Sequence, residues 1–215
     1  MIKSVLLFYF EHIRDNWCYE WKDRPFRRRF FFTALGMVLL VYGFGRFLDF
    51  IERRPGAVLA DPLLLTFAPI DVTWLTFLVI YISVIIALLF LALEPRRLLV
   101  AMQAYMLMVI ARALSMYFVP LDPSPQLIPL ADPFVESLSS GTLTRDLFFS
   151  GHTSTLFLLF LTAKSRRLRV FFLIGTVIVG ICVILQHVHY TFDVVAAPFY
   201  SYTCYRLSIL LNRKV

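Results

Sequence analysis

Apolar residues in this chain come in long runs rather than in strand-like alternation. Val72–Leu93 contains no charged residue, and a helix crossing a bilayer needs about 20 consecutive apolar residues. By that length criterion the chain divides into six spanning segments: Phe30–Leu48, Val72–Leu93, Leu98–Val119, Leu147–Ala163, Val170–Gln186 and Tyr190–Leu211. The first is short, the fourth holds Ser150 and His152, and the sixth holds Asp193 and Pro198. Met1–Trp21 has a different texture, with Leu, Phe, Tyr and Trp interleaved with Lys3 and Arg14 and followed by Lys22 and Arg24. That is the pattern of an amphipathic helix lying in a membrane interface. There is no internal repeat and no low-complexity stretch. The expectation is an all-α membrane protein: an interfacial segment over 1–29, a bundle of six transmembrane helices over 30–211, and a tail over 212–215.

Composition agrees, and charge adds an orientation. The 215 residues are 60% hydrophobic and 16% charged, against about 45–50% and 25% in soluble domains. Twenty-one Lys and Arg against fourteen Asp and Glu leave a net charge of +7, which in a soluble protein would suggest nucleic acid. Here the basic residues sit in connections: Arg27-Arg28-Arg29, Arg96-Arg97, Lys164 to Arg169, and Arg213-Lys214. With six spans all of these fall on one side, and a basic excess marks that side as cytoplasmic. Both termini are therefore expected in the cytoplasm. Asp49–Asp71, Pro120–Asp146 and the Gln186–Tyr190 turn are expected outside, and no nucleic-acid partner is implied. Cys18, Cys182 and Cys204 show no paired spacing, and the last two read as packing residues inside apolar stretches. The N-terminus does not read as a cleaved signal, since Met1–Phe10 is followed by charged and aromatic residues.

The candidate chemistry gathers at the outer ends of the spans. Asp193 follows His189 by four positions, so on a helix its carboxylate can reach the imidazole and fix its tautomer. At 1.5 Å per residue, Arg112 lies roughly 22 Å above Arg97, His152 roughly 18 Å above Lys164, and His189 roughly 30 Å above Arg169. Ionisable groups at such depth usually mark function. Each has a plainer reading as well: a histidine bonding between helices, a structural arginine paired with an acid, or Asp193 capping the sixth helix. His187 and His189 alternate as a metal pair might, but zinc takes three or four ligands. No cysteine or acidic cluster stands by, so neither a metal site nor a cofactor is expected.

The motifs narrow the choice. Asp146-Leu-Phe-Phe-Ser-Gly-His152-Thr and His189-Tyr-Thr-Phe-Asp193 resemble the sphingomyelin synthase-like branch of the type 2 phosphatidic acid phosphatase superfamily. Arg112-Ala-Leu-Ser-Met-Tyr and the proline-containing Pro120–Pro125 stretch agree, so that the likeness covers roughly Arg96 to Tyr205. The resemblance implies that His189 is a nucleophile oriented by Asp193, and that His152 is the proton donor and acceptor. It also suggests Arg112 as a phosphate-binding residue and Asp146 as a group that tunes His152 or handles the acceptor hydroxyl. The implied activity is transfer of a phospho-headgroup from a glycerophospholipid to a ceramide or diacylglycerol hydroxyl. The general lipid phosphatases carry a Lys-x6-Arg-Pro motif and a Ser-Arg ahead of the second histidine; here Cys182-Val183 occupies the latter place, and Thr144-Arg145 stands where the synthases commonly have Cys-Gly. A lipid phosphate phosphatase using water remains the alternative enzyme. A non-catalytic scramblase or transport subunit is the alternative of another class.

Overall fold

The structure, a computed structural model, describes residues 2–131, 141 and 143–212, with side chains from Leu7 onward. Residues 132–140 and 142 of the expected outer stretch Pro120–Asp146, and Arg213 and Lys214 of the tail, lie outside the described residues. The described residues form seven α-helices: α1 (Ile2–Glu20), α2 (Arg24–Glu52), α3 (Thr73–Leu91), α4 (Pro95–Phe118), α5 (Gly151–Thr162), α6 (Arg166–Leu185) and α7 (Thr191–Asn212). A 3-10 turn covers Leu64–Thr66. The described residues hold no strand; one parallel bridge joins Ala57 to Leu121.

Every expected span overlaps a helix, but not every helix has spanning length. Four of them, α2, α3, α4 and α6, are long and apolar enough to cross a membrane, consistent with an integral membrane protein. The fourth expected span, Leu147–Ala163, is corrected: α5 has only 12 residues, or about 18 Å of helix. Its start is set by Ser150, whose hydroxyl accepts a bond from the Thr153 amide as an N-cap. Phe148 and Phe149 just before it have positive φ, 56° and 35°, and cannot continue a helix. The sixth, α7, has 22 residues but falls short of the four in apolar character. At the other end of the chain, α2 begins at Arg24 with Pro25 in its first turn. Arg27-Arg28-Arg29 therefore lie within the helix rather than ahead of it.

Short α5 is the hub. It packs against α3, α4, α6 and α7, while α2 leans on α4 from outside. Two apolar clusters flank it: Ala104, Met108, Phe149, Leu158, Ala197 and Cys204 on one side, and Ile80, Leu156, Val179 and Val183 on the other. Large apolar side chains such as Phe31, Leu39, Ile85, Ile174, Val177 and Phe199 point outward and are exposed, the reverse of a water-soluble bundle.

The two ends of the bundle differ. At the basic end α1 docks beneath α3, with the Tyr9 hydroxyl donating to the Leu89 carbonyl, the Asn16 amide to Leu93 at 2.7 Å and Trp17 Nε1 to Ala92 at 2.8 Å. These satisfy carbonyls that the end of α3 leaves without intrahelical partners. Arg96 pairs there with Glu20 at 2.7 Å, and Lys164 with Glu94 at 2.8 Å. At the opposite end the connections knit together. Asp122 N donates to the Ala57 carbonyl at 3.0 Å, and the chain passes so close that a Cβ on Gly56 would lie 2.5 Å from the Leu121 backbone.

Candidate active site

The site lies at this knitted end, where α5, α6 and α7 meet. A backbone bond from Ser150 N to the Asp193 carbonyl, 3.1 Å long, ties the Ser-Gly-His-Thr segment to the His-Tyr-Thr-x-Asp segment. Gly180 of α6 permits the approach, since a Cβ there would come within 3.1 Å of Val194 on α7 and 3.8 Å of Thr153 on α5.

His189 and Asp193 face each other as their spacing predicts. His189 Nδ1 lies 3.3 Å from Asp193 Oδ2, with the two side chains 2% and 0% exposed. The same Oδ2 accepts the Tyr190 amide at 3.2 Å, so Asp193 also caps α7 by reaching back from its third position. One oxygen of Asp193 thus meets the His189 ring and caps α7. Asp193 Oδ1 is buried with no hydrogen-bond partner among the described residues. A proton on His189 Nδ1, held towards the carboxylate, leaves Nε2 with its lone pair free for attack. His152 sits half-buried in the first turn of α5, its ring edge-on to Phe77 at 6.5 Å between centroids.

Arg112 is more committed to its own fold than the sequence suggests. Its Nη2 donates to the Asp146 carbonyl at 2.6 Å and to Asp146 Oδ2 at 2.9 Å, and its Nε to the Phe149 carbonyl at 3.3 Å. The backbone of 146–149 is thus wrapped around the guanidinium, and positive φ at Phe148 and Phe149, of order 1–3 kcal/mol of strain each, is part of that turn. Nη1 lies against Gly151, where an added Cβ would be 2.4 Å away. Asp146 is accordingly placed on Arg112, and the glycine of Ser-Gly-His makes room for the arginine beside the histidine.

Several residues that support the site carry no sequence signal, being single acids far along the chain. Asp61 accepts the Thr191 amide at 2.6 Å and its hydroxyl at 3.2 Å, fixing the start of α7. Burial alone would raise the Asp61 pKa, but the bonds from Thr191 and the Leu63 and Leu64 amides outweigh it and hold the carboxyl below its ordinary range. Glu52 accepts the Thr144 and Arg145 amides, each at 2.9 Å, and the Thr144 hydroxyl at 2.6 Å. Arg145 in turn grips Asp122 at 2.6 Å, which keeps the Asp122 carboxyl below its usual range. Thr144-Arg145 is therefore an anchoring point for the loop that leads to Asp146.

The imidazoles of His187 and His189 have different surroundings: His189 meets Asp193, and His187 meets Phe67 edge-on at 5.1 Å between centroids. Comparison with curated proteins and with solved structures found no match. Residues 145–209, which hold both histidine motifs, match the family model described as PAP2 superfamily C-terminal, and the match supports the type 2 phosphatidic acid phosphatase superfamily for this chain.

Proposed function

We propose that the chain is a membrane phosphotransferase that moves a phospho-headgroup from a glycerophospholipid to a lipid hydroxyl, of ceramide or diacylglycerol, through a phosphohistidine. The observation that carries this reading is the buried His189–Asp193 pair at 3.3 Å, beside the Ser-Gly-His152 turn to which it is hydrogen-bonded. His189 Nε2 attacks phosphorus, and the bond from phosphorus to the departing lipid oxygen breaks as His152 supplies that oxygen with a proton. The acceptor hydroxyl then gives its proton to His152 and attacks phosphorus, and the P–N bond breaks to restore His189. Asp193 balances the positive imidazole during both halves. Arg112 Nη1, which lies against Gly151, is the guanidinium nitrogen for a phosphate oxygen. Cys182-Val183, in the place where the general lipid phosphatases carry Ser-Arg, favours a lipid acceptor over hydrolysis.

The test uses the purified chain in nanodiscs with a donor labelled at phosphorus. An acid-labile, base-stable label on the protein is expected, with dephosphorylated lipid released before any acceptor is added. Chase with ceramide or diacylglycerol then moves the label to lipid. Release of soluble phosphate or phospho-headgroup instead assigns the chain to the hydrolases of the same superfamily. A requirement for both lipids before any product appears rules out the phosphohistidine.

A further inference from the structure

The start of α6 carries charge that the fold itself does not use. At the basic end Arg96 is paired with Glu20 at 2.7 Å, and Arg97 and Lys164 share Glu94 at 2.9 and 2.8 Å. Arg166, Arg167 and Arg169 stand in the first turn of α6 and make no ion pair among the described residues. A basic excess orients a membrane protein wherever it sits in a connection. Two of these arginines are placed more narrowly than that.

Arg166 and Arg169 line a cleft of about 450 Å3 together with Lys164, Phe160, Val170 and Leu173. Positions 166, 169, 170 and 173 lie three or four apart and share one face of α6, and Phe160 reaches the cleft from the end of α5. Arg169 Cζ is 5.0 Å from the centroid of the Phe160 ring, a cation–π contact that holds the guanidinium against the apolar wall. Both arginines are exposed, and no carboxylate lines the cleft. Glu94, which meets Lys164, is bonded to Arg97 as well. From the cleft, Val170, Ile174, Val177 and Ile181 continue along α6 as an exposed apolar stripe at steps of three and four.

These features discriminate among ligands. The fork of a guanidinium suits the oxygens of a phosphodiester. The cation of a choline or ethanolamine headgroup would meet like charges there and no carboxylate. A soluble anion would leave the aromatic and aliphatic wall unused.

We propose that this cleft binds the headgroup of an anionic phospholipid from the leaflet at the basic end, with Arg166 and Arg169 on its phosphate and an acyl chain along the α6 stripe. The site lies at the opposite end of the bundle from the histidine pair and does not depend on the transferase reading.

Native mass spectrometry of the full chain in detergent measures the binding of phosphatidylglycerol, of phosphatidylcholine with the same acyl chains, and of glycerol 3-phosphate. Each arginine beside an anionic headgroup contributes about fivefold in affinity, so the wild type is expected to prefer phosphatidylglycerol by about 25-fold. Arg166→Gln combined with Arg169→Gln abolishes that preference. Arg27→Gln combined with Arg28→Gln removes the same charge from exposed positions at the same end, outside the cleft, and keeps it. Equal binding of the two lipids by the wild type, or equal loss of preference in both double variants, overturns the site, the latter by assigning the preference to the basic surface as a whole. Glycerol 3-phosphate binding as tightly as phosphatidylglycerol overturns the lipid assignment.

Discussion

Asp193 uses one carboxylate oxygen for two tasks, capping α7 through the Tyr190 amide and orienting His189. The two tasks separate by substitution. Asp193→Asn keeps an oxygen for the amide but loses the charge that stabilises a positive imidazole. It is expected to leave thermal stability nearly intact while lowering turnover roughly 10³- to 10⁴-fold, as for the aspartate of hydrolase triads. Asp193→Ala loses the cap as well and is expected to cost about 1 kcal/mol more stability. Lipid mass spectrometry beside thermal unfolding reads both; full activity in the Asn variant would leave only the capping role. Gly151→Ala has a different target, since the new methyl would lie 2.4 Å from Arg112 Nη1. The guanidinium must move, and the Asp146–Phe149 turn built on it moves too. A loss of at least tenfold in turnover is expected even though neither histidine is altered, because small displacements of positioned groups are costly to catalysis.

Helix α7 begins where it does because Asp61, some 130 positions earlier, accepts the Thr191 amide and hydroxyl. The folded carboxyl is held below its ordinary pKa. Its contribution is therefore fully present above the ordinary carboxylate value of about 3.9 and is lost as pH falls through the lower folded value. Asp61→Asn should melt at a lower temperature than wild type near pH 7, and the two curves should converge in acid below that value. A gap that persists there would mean that the ionised form is not what matters. This contact also marks what sequence can yield. Apolar runs gave the helix positions, because helix length and lipid contact are written in consecutive residues. The true start of α5 at Gly151 was hidden, since Leu147-Phe148-Phe149 continues the apolar run while Ser150 caps the helix and the two phenylalanines turn left-handed. The pairing of His189 with Asp193 was legible because it is local to one helical turn. Arg112 wrapped by 146–149, Glu52 holding Thr144, and Asp61 holding Thr191 were not, because each joins a lone polar residue to backbone distant along the chain.

At the scale of the molecule, polarity is divided between two ends. One carries the connections' Arg96, Arg97, Lys164, Arg166, Arg167 and Arg169, and the other mixes Asp61, Asp122, Asp146, His152, His189 and Asp193 with Arg54, Arg112 and Arg145. Helices α2, α3, α4 and α6, each long and apolar enough to span a bilayer, separate them. A basic excess is retained in the cytoplasm during insertion, so the histidine end is expected to face the exoplasmic or periplasmic side. The donor and acceptor lipids would then be drawn from the outer leaflet. Single-cysteine labelling in intact cells decides this, on a background with Cys18, Cys182 and Cys204 replaced. Gln126 lies exposed at the histidine end, and Arg167 lies exposed at the basic end. Gln126→Cys should react with an impermeant maleimide in intact cells, and Arg167→Cys only after permeabilisation. The opposite pattern would put the histidine pair at the cytoplasmic face, where the same chemistry would serve inner-leaflet lipids. Because both labelled positions are tied to ends of one bundle, one pair of them fixes the side of every residue in the proposed mechanism.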